Sequence, residues 1–411
     1  MNDALEKTIG ARTGSAALAM LAHITAANHH SYDYMDWWAT PWGRWSKRLA
    51  YRTEPVGNLV FSAPILLVEW FCPGLREVIH VPRRVYPISV AHHGLTCLEF
   101  HQALGGDEFL AAAGRDVELL LAMAAPSHHG LAWGFPFVWP SNSGIVPANL
   151  PMATQTAYGF DLLDGLWLRT GDERYRSLLL QVTAAMDREY ENLQREHGTA
   201  HTYGGRGYGD VAVNAVSYRM HILARASDLG GSEYRATAES LADYIVSRQE
   251  ADGSWFYGET PKNQFIDHFH TCFVLKNLAR ANRVLGRSDI TSALAAGAGY
   301  YWANLFDEHG LPRPFARTVR LNVVRYESYD FAECLGLFAV LGTDLGFTRR
   351  RLGPVLEGFF EHLALGSGAA RFRVHRFPTP VGVPYYRYGM SALMLSLATL
   401  TGQLLREDGG P

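Results

Sequence analysis

Lysine is nearly missing from this 411-residue chain: it occurs only at positions 7, 47, 262 and 276, so 33 of the 37 basic residues are arginine. Cysteine is scarce too. Cys72, Cys97, Cys272 and Cys334 are far apart with no C-x-x-C pair, which excludes a dense disulfide framework and leaves buried free thiols as the expectation. No apolar run approaches about 20 residues, the length a membrane-spanning helix needs. The N-terminal Met-Asn-Asp-Ala-Leu-Glu-Lys lacks the basic and apolar regions of a secretory signal. The expectation is a cytoplasmic protein without membrane insertion. A large charge of one sign is also absent: the net charge is −3 and the isoelectric point about 6.6. That argues against a nucleic-acid backbone or an anionic membrane surface as the main partner.

What is present is the composition of a globular chain, 48% hydrophobic, 12% aromatic and 19% charged, large enough for one big or two ordinary domains. The arginine skew comes with 17 His and 10 Trp. Its plain reading is codon bias in a GC-rich bacterial genome. Its sharper reading is a site that grips planar carboxylates with guanidinium forks and stacks sugar rings on aromatics.

Apolar residues recur at i, i+3, i+4 and i+7, with almost no strand-type alternation. A short turn signature repeats at Gly106-Asp107-Glu108, Gly171-Asp172-Glu173, Gly231-Ser232-Glu233, Gly286-Arg287-Ser288 and Gly346-Phe347-Thr348. One helical hairpin per repeat fits, with Gly stopping the first helix and Asp, Ser or Thr capping the second. Longer Gly, Pro and aromatic-rich connections, 126–151, 196–210, 251–263, 307–327 and 366–384, alternate with these turns. The expected hairpins are 89–124, 152–194, 210–248, 264–305 and 328–364, and a sixth pairs a C-terminal helix at 385–405 with an N-terminal helix at 3–26. The expectation is therefore an all-α, single-domain (α/α)6 toroid over 1–411, with all long loops at one end and 27–88 as a non-repeating insertion. Function belongs at the long-loop end.

Each hairpin's first helix starts at that end, with its N-terminal dipole favouring anions. The polar residues in those first turns are the candidates: His92, His93, Gln155, Asp210, Asn214, Asp267, His268, His270, Glu327, Tyr329, Asp330, Glu333 and Arg387. Asp210 and Asp330 stand where helix caps are expected. The loop Leu131–Pro140 carries Trp133, Phe135, Phe137 and Trp139, as either a packed plug or a sugar-stacking platform. Gln249-Glu-Ala-Asp-Gly-Ser-Trp255, followed by Tyr257, also occurs in triterpene cyclases, where Gln and Trp lock one repeat to the next; the acid motif of that class is missing. A structural role is expected for Gln249 and Asp252, with Trp255 and Tyr257 left open. The pairs His29-His30, His92-His93 and His128-His129 and the i, i+2 pair His268/His270 make poor metal pairs, and no metal is expected. The loop Tyr203-Gly-Gly-Arg-Gly-Tyr-Gly209 lacks the Lys and Ser/Thr of a phosphate loop, so it reads as a lid bearing Arg206 and Tyr208, and no cofactor is expected. Arg387, flanked by tyrosines, is the strongest carboxylate clamp, with Arg325 and Arg206 as helpers.

The combination Tyr32-Asp33-x-x-Asp36, Trp133-Gly-Phe-Pro-Phe137 with Trp139, Asn214, Asp252-Gly-Ser-Trp255 with Tyr257-Gly258, Asp267-x-Phe-His270 and Arg387 resembles a bacterial α/α-toroid family encoded with exopolysaccharide and capsule biosynthesis genes. The resemblance covers most of the chain and implies a carbohydrate context. Ala153-Thr-Gln-Thr-Ala157 and the helix with His270 look like the helical domain of D-glucuronyl C5-epimerases; N-acylglucosamine 2-epimerases are similar in architecture only. Family members often carry Asn where this chain has His268, and Asp-x-His where it has Glu327-x-Tyr329; if that His is catalytic, the resemblance implies that activity here depends on Tyr329 or is altered.

The expected function is an epimerase or lyase that removes the proton alpha to the carboxylate of a uronic-acid saccharide. His270 and Tyr257 or Tyr329 would exchange protons and Asp267 or Glu327 orient them. Arg387, Arg325 and Arg206, with Tyr208, Trp133, Trp139, Trp255, Gln155 and Asn214, would bind substrate. The alternatives are a glycoside hydrolase with two carboxylates across the funnel, and a non-catalytic saccharide-binding or scaffold protein of exopolysaccharide assembly. The partner is an acidic saccharide, and a homodimer stays open.

Overall fold

The structure is a computed structural model that describes residues 2–54, 56–141, 144–318, 321–342 and 345–409. Both extremes of the expected 1–411 unit and the middles of the loops 126–151 and 307–327 lie outside the described residues. The helices are α1 (Asn2–Ala26), α2 (Asp36–Ala39), α3 (Pro41–Arg52), α4 (Ala63–Phe71), α5 (Leu75–Val78), α6 (Pro87–Leu104), α7 (Asp107–Ala122) and α8 (Ala153–Thr170). They continue with α9 (Glu173–Arg188), α10 (Val213–Asp228), α11 (Tyr234–Ser247), α12 (His268–Leu285), α13 (Ser288–Asn304), α14 (Ser328–Leu341), α15 (Arg349–His362) and α16 (Ser391–Gly409).

Helices α6, α8, α10, α12, α14 and α16 touch in that order and α16 returns to α6, closing an inner ring. Outside it, α7, α9, α11, α13 and α15 each pack on the inner helix that precedes them, and α1 packs on α16. The fold is the α/α toroid that the helical period implied. Gly171 and Gly286 end their helices in the left-handed conformation, and Asp172 caps α9 by accepting the Arg174 N–H at 2.8 Å. Contrary to the expectation that no apolar run approaches membrane-spanning length, Tyr386–Arg406 is long and apolar enough to cross a membrane, yet 72% of its most apolar 18-residue window is buried, because α16 is an inner-ring helix. It begins only at Ser391. Residues 386–390 make a π-type turn in which Gly389 has φ +101°, so the first turn expected from 385 is irregular.

The long loops are knitted to one another. Ile266–Asp267 pairs antiparallel with Phe315–Arg317, and Val324–Glu327 with Arg373–His375. Single bridges Met152–Gly204 and Ala212–Gly258 repeat the pattern. The residue that enters each of these inner helices thus bonds to the following loop.

Two tryptophans assigned to substrate belong to the core instead. Trp133 is 1% exposed and donates its indole N–H to Leu120 O at 2.8 Å; Trp255 is 3% exposed and donates to Ile245 O at 2.9 Å. Each indole fills the gap where a long loop leaves its hairpin. Gln249 Nε2 reaches Gly253 O and Ala293 O, both at 2.9 Å, tying that loop to α13. Gly253 has φ +91°, and a Cβ there would stand 2.4 Å from Ala296 O. Gly253→Ala should therefore destabilise the protein by about 1–3 kcal/mol, read as a lower urea midpoint with unchanged slope.

The insertion 27–88 folds as α2 to α5 beside the long-loop end. Thr40 caps α3 by accepting the Gly43 N–H at 3.0 Å, with Pro41 as the first helical residue. Buried Glu69 accepts from Trp37 Nε1 at 2.6 Å and also from Arg76 and Tyr385, which pins the insertion to the ring. Glu54 pairs with Lys262 of the 251–263 loop at 2.9 Å.

Candidate functional site

The first turns of the inner helices converge on a cavity of about 350 Å³ at the long-loop end. Ile88 of α6, Gln155 of α8, Asn214 of α10, Phe269 and His270 of α12, Tyr329 of α14 and Arg387 just before α16 all line it. Phe135, Phe137, Trp139, Tyr203, Tyr208, Tyr257, Phe265 and Tyr388 come from the loops, and Met35 and Tyr51 from the insertion. Converging helix N-termini favour negative charge, and aromatic walls suit the apolar faces of a sugar ring. Gln155 Oε1 and Asn214 Oδ1 are buried without a hydrogen-bond partner. Acceptors left open in the wall are what hydroxyl groups of a ligand would satisfy.

Asp267 caps α12, accepting the His270 backbone N–H at 3.3 Å and the His270 Nδ1 at 2.6 Å. One buried carboxylate thus starts the helix and orients the ring. A carboxylate oxygen accepts, so Nδ1 donates to it and Nε2 is the ring nitrogen left free of this bond. The Tyr257 ring lies 4.5 Å from the imidazole, and Tyr329 stacks on Phe269 at 5.0 Å. Burial raises the pKa of both phenols well above the usual tyrosine value, so each stays protonated and can serve as a proton donor rather than as a base.

Arg387 is buried and already holds a carboxylate: Nε and Nη2 donate to Asp33 at 2.7 and 2.6 Å. Its guanidinium lies 4.6 Å from the Phe135 ring and 4.2 Å from that of Tyr388. The edge that includes Nη1 takes part in none of the described hydrogen bonds, so the fork keeps one face for a ligand. Asp33 is anchored in turn, its backbone N–H donating to Asp36 Oδ2 at 2.6 Å. Asp36 Oδ1 accepts from Arg84 at 3.0 Å and Tyr86 at 3.3 Å. Burial, with the Asp33 charge beside it, pushes the Asp36 carboxyl up to about 7. An acid whose folded pKa exceeds its unfolded value binds more protons when folded. Its contribution is present below the unfolded pKa, about 4, and fades as pH rises towards the folded one. Asp36→Asn should remove this loss, so the melting-temperature gap between variant and wild type shifts in the variant's favour from pH about 4 to about 7.

Of the sequence candidates, the structure brings together His270, Tyr257, Tyr329, Arg387, Tyr208, Trp139, Gln155 and Asn214, with Asp267 directly behind His270. Asp210 lines it too, whereas His92, His93, His268, Asp330, Glu333, Trp133, Trp255, Arg206, Arg325 and Glu327 do not. Trp133 and Trp255 are the core residues described above. Arg206 adopts φ +57° and turns back to Glu189 at 3.2 Å and Pro126 O at 2.8 Å. Arg325 is exposed over the Tyr326 ring. Glu327 receives Arg373 Nε at 2.7 Å, because its strand pairs with the one carrying Arg373.

The expected caps are corrected as well. Asp210 precedes α10, whose cap position is Ala212, and Asp330 is the third residue of α14, after Glu327 at the cap position. Asp330 is fully buried with neither oxygen bonded, and desolvation followed by the Glu327 charge raises its pKa well above the normal range. Glu333 pairs with Lys276. Asp210 is the one carboxylate among the described residues that line the cavity, so among them no carboxylate pair faces across it.

Sequence reasoning missed Asp33 as the partner of Arg387; only its place in the Tyr32-Asp33-x-x-Asp36 motif marked it. It also missed that His29 and His93, one member from each of two sequence-adjacent His pairs, converge on Asp116, their ligand-capable atoms lying within 4.8 Å of one another. His93 Nδ1 bonds Asp116 directly at 2.6 Å. Burial alone would raise the Asp116 carboxyl, but hydrogen bonds from both imidazoles outweigh it and hold it below its ordinary value.

No family model matches the chain, and no curated protein matches it. Solved structures do. A sugar epimerase from a ruminal bacterium superposes with a TM-score of 0.57 at 13% identity, covering 80% of this chain and 91% of that one. The cellobiose 2-epimerase of Bacillus thermoamylovorans gives 0.59 at 11% identity over 76% and 87%. An unsaturated glucuronyl hydrolase from a Bacillus species gives 0.51 at 15% identity over 77% and 85%. At these identities the likeness establishes the shared toroid.

Proposed function

We propose that the cavity binds an acidic saccharide of exopolysaccharide or capsule metabolism and that His270 moves the proton alpha to a uronate carboxylate. The observation that carries this reading is the placement of His270, its Nδ1 tied to Asp267, in the same cavity as the open edge of Arg387. Arg387 Nη1 would bind the carboxylate and stabilise the enolate that forms as the C5 proton passes to His270 Nε2. A protonated phenol, Tyr257 or Tyr329, would complete either outcome. Returning a proton to the opposite face of C5 gives the epimer. Passing it to the departing O4 as the C4–O4 bond breaks gives the unsaturated lyase product. Names among the similar structures, a sugar epimerase and an unsaturated glucuronyl hydrolase, support a saccharide and, more weakly, a uronate.

Incubation with uronate oligosaccharides in heavy water tests it. Deuterium at C5 without ultraviolet absorbance indicates epimerisation, absorbance of a 4,5-double bond indicates elimination, and no exchange on any uronate overturns both. A second reading follows from Asp33, which already neutralises Arg387. A neutral reducing sugar would then exchange the C2 proton next to its aldehyde, and deuterium at C2 distinguishes it. The two-carboxylate hydrolase finds no facing pair among the described residues of the wall. The non-catalytic scaffold predicts binding without any exchange.

A further inference from the structure

The insertion between α1 and α6 carries a surface that the described chain leaves open. Along α3 the exposed residues include Trp42, Trp45, Arg48 and Arg52, three or four apart and hence on one helical face. Trp42 is 45% and Trp45 61% exposed. The turn that follows exposes Val56, Leu59 and Val60 at 66, 75 and 53%, and α4 exposes Leu67 and Phe71 one helical turn apart. Leu75, Val78 and Ile79 extend the set. Ten of the nineteen exposed large hydrophobics among the described residues fall between Trp42 and Ile79, a segment with fewer than a tenth of the chain. Such concentration marks a surface that something covers.

Charge selects the occupant. Helix α3 carries Arg44, Lys47, Arg48 and Arg52 and no acidic residue, and Arg48 and Arg52 make no ion pair among the described residues. A second copy of this chain across a two-fold axis would set this basic patch against the same basic patch of its partner, with no acidic side chain of α3 to offset it. A polar polymer would leave Leu59, Val60, Leu67 and Val78 in water. An anionic lipid surface satisfies both, with arginines at the phosphates, tryptophans at the boundary and aliphatic side chains among the upper acyl chains. We infer that the α3–α5 insertion docks the protein on an anionic membrane surface. The net charge of −3 is no obstacle, because screening limits the relevant field to about 10 Å and only the local charge counts. Tyr51 of the same helix lines the cavity, and Glu54, just beyond α3, is tied to Lys262, so the docked face adjoins the cavity.

Co-sedimentation of the full chain with vesicles tests this independently of any reaction. Binding to phosphatidylcholine vesicles containing about a third phosphatidylglycerol should exceed binding to phosphatidylcholine alone by about tenfold or more and fall with added salt. Arg48→Gln and Arg52→Gln should each weaken it about fivefold, and Trp42→Ser with Trp45→Ser should abolish it. Because all four side chains are exposed, unchanged thermal melts show that these variants remain folded. Equal binding to both vesicles, no binding, or variants that bind like wild type overturn the inference. So does a stable dimer in solution that dissociates when Trp42 and Trp45 are replaced, since the occupant is then a second copy.

Discussion

His270→Ala is expected to reduce proton exchange by about 10²- to 10⁴-fold while leaving the melting temperature within a few degrees of wild type. The side chain lines the cavity and its partner Asp267 keeps a second task, capping α12 through the His270 backbone N–H, which alanine retains. The loss should therefore lie in turnover rather than in folding. Asp267→Asn separates orientation from chemistry. An amide can still accept from the backbone, but it no longer enforces a proton on Nδ1 or stabilises an imidazolium. A smaller fall in kcat with a displaced pH profile is expected, measured by C5 deuterium incorporation. If His270→Ala exchanges deuterium at the wild-type rate, the imidazole is not the base and the proposed proton transfer is overturned.

Arg387→Met should produce the largest change in stability, about 3–5 kcal/mol, because it strands Asp33 as a buried, unpaired carboxylate. Asp33→Asn leaves the cation unneutralised, yet the guanidinium still reaches the cavity, so a smaller loss is expected. Replacing both partners together should recover much of the stability, since the buried charge is then gone from both sides. Chemical denaturation of the two single variants and the double variant gives the coupling energy directly. Ligand binding should not recover with it. If the double variant is restored in stability but still fails to bind uronate oligosaccharides, Arg387 has a role in recognition beyond its pairing with Asp33; restored binding would make it structural.

The toroid could be read from the sequence because its signals are local: helical period, glycine-bounded turns, and long loops in alternation with short ones. His270 and Asp267 were accessible for the same reason, since a carboxylate three residues ahead of a histidine at a helix start caps the helix and meets the ring. Arg387 was placed by the same logic, but its partner lies 354 residues away in the insertion, beyond any local pattern. Trp133 and Trp255 misled because loop composition does not encode which side of the loop faces the cavity. Asp330 misled because the helix begins at Ser328, after a strand that commits Glu327 to Arg373. Burial of a polar group is decided by partners from other hairpins, and a single sequence does not display them.

The pairing of each helix entry with the following loop has an evolutionary corollary. Asp267 sits opposite Phe315, so the dyad at the head of α12 is held in register by the loop that leads into α14. A deletion near Phe315 would displace His270 without altering a residue of its own hairpin. Loops on this rim are thus not interchangeable modules, and a change of specificity by loop exchange must carry two consecutive segments at once.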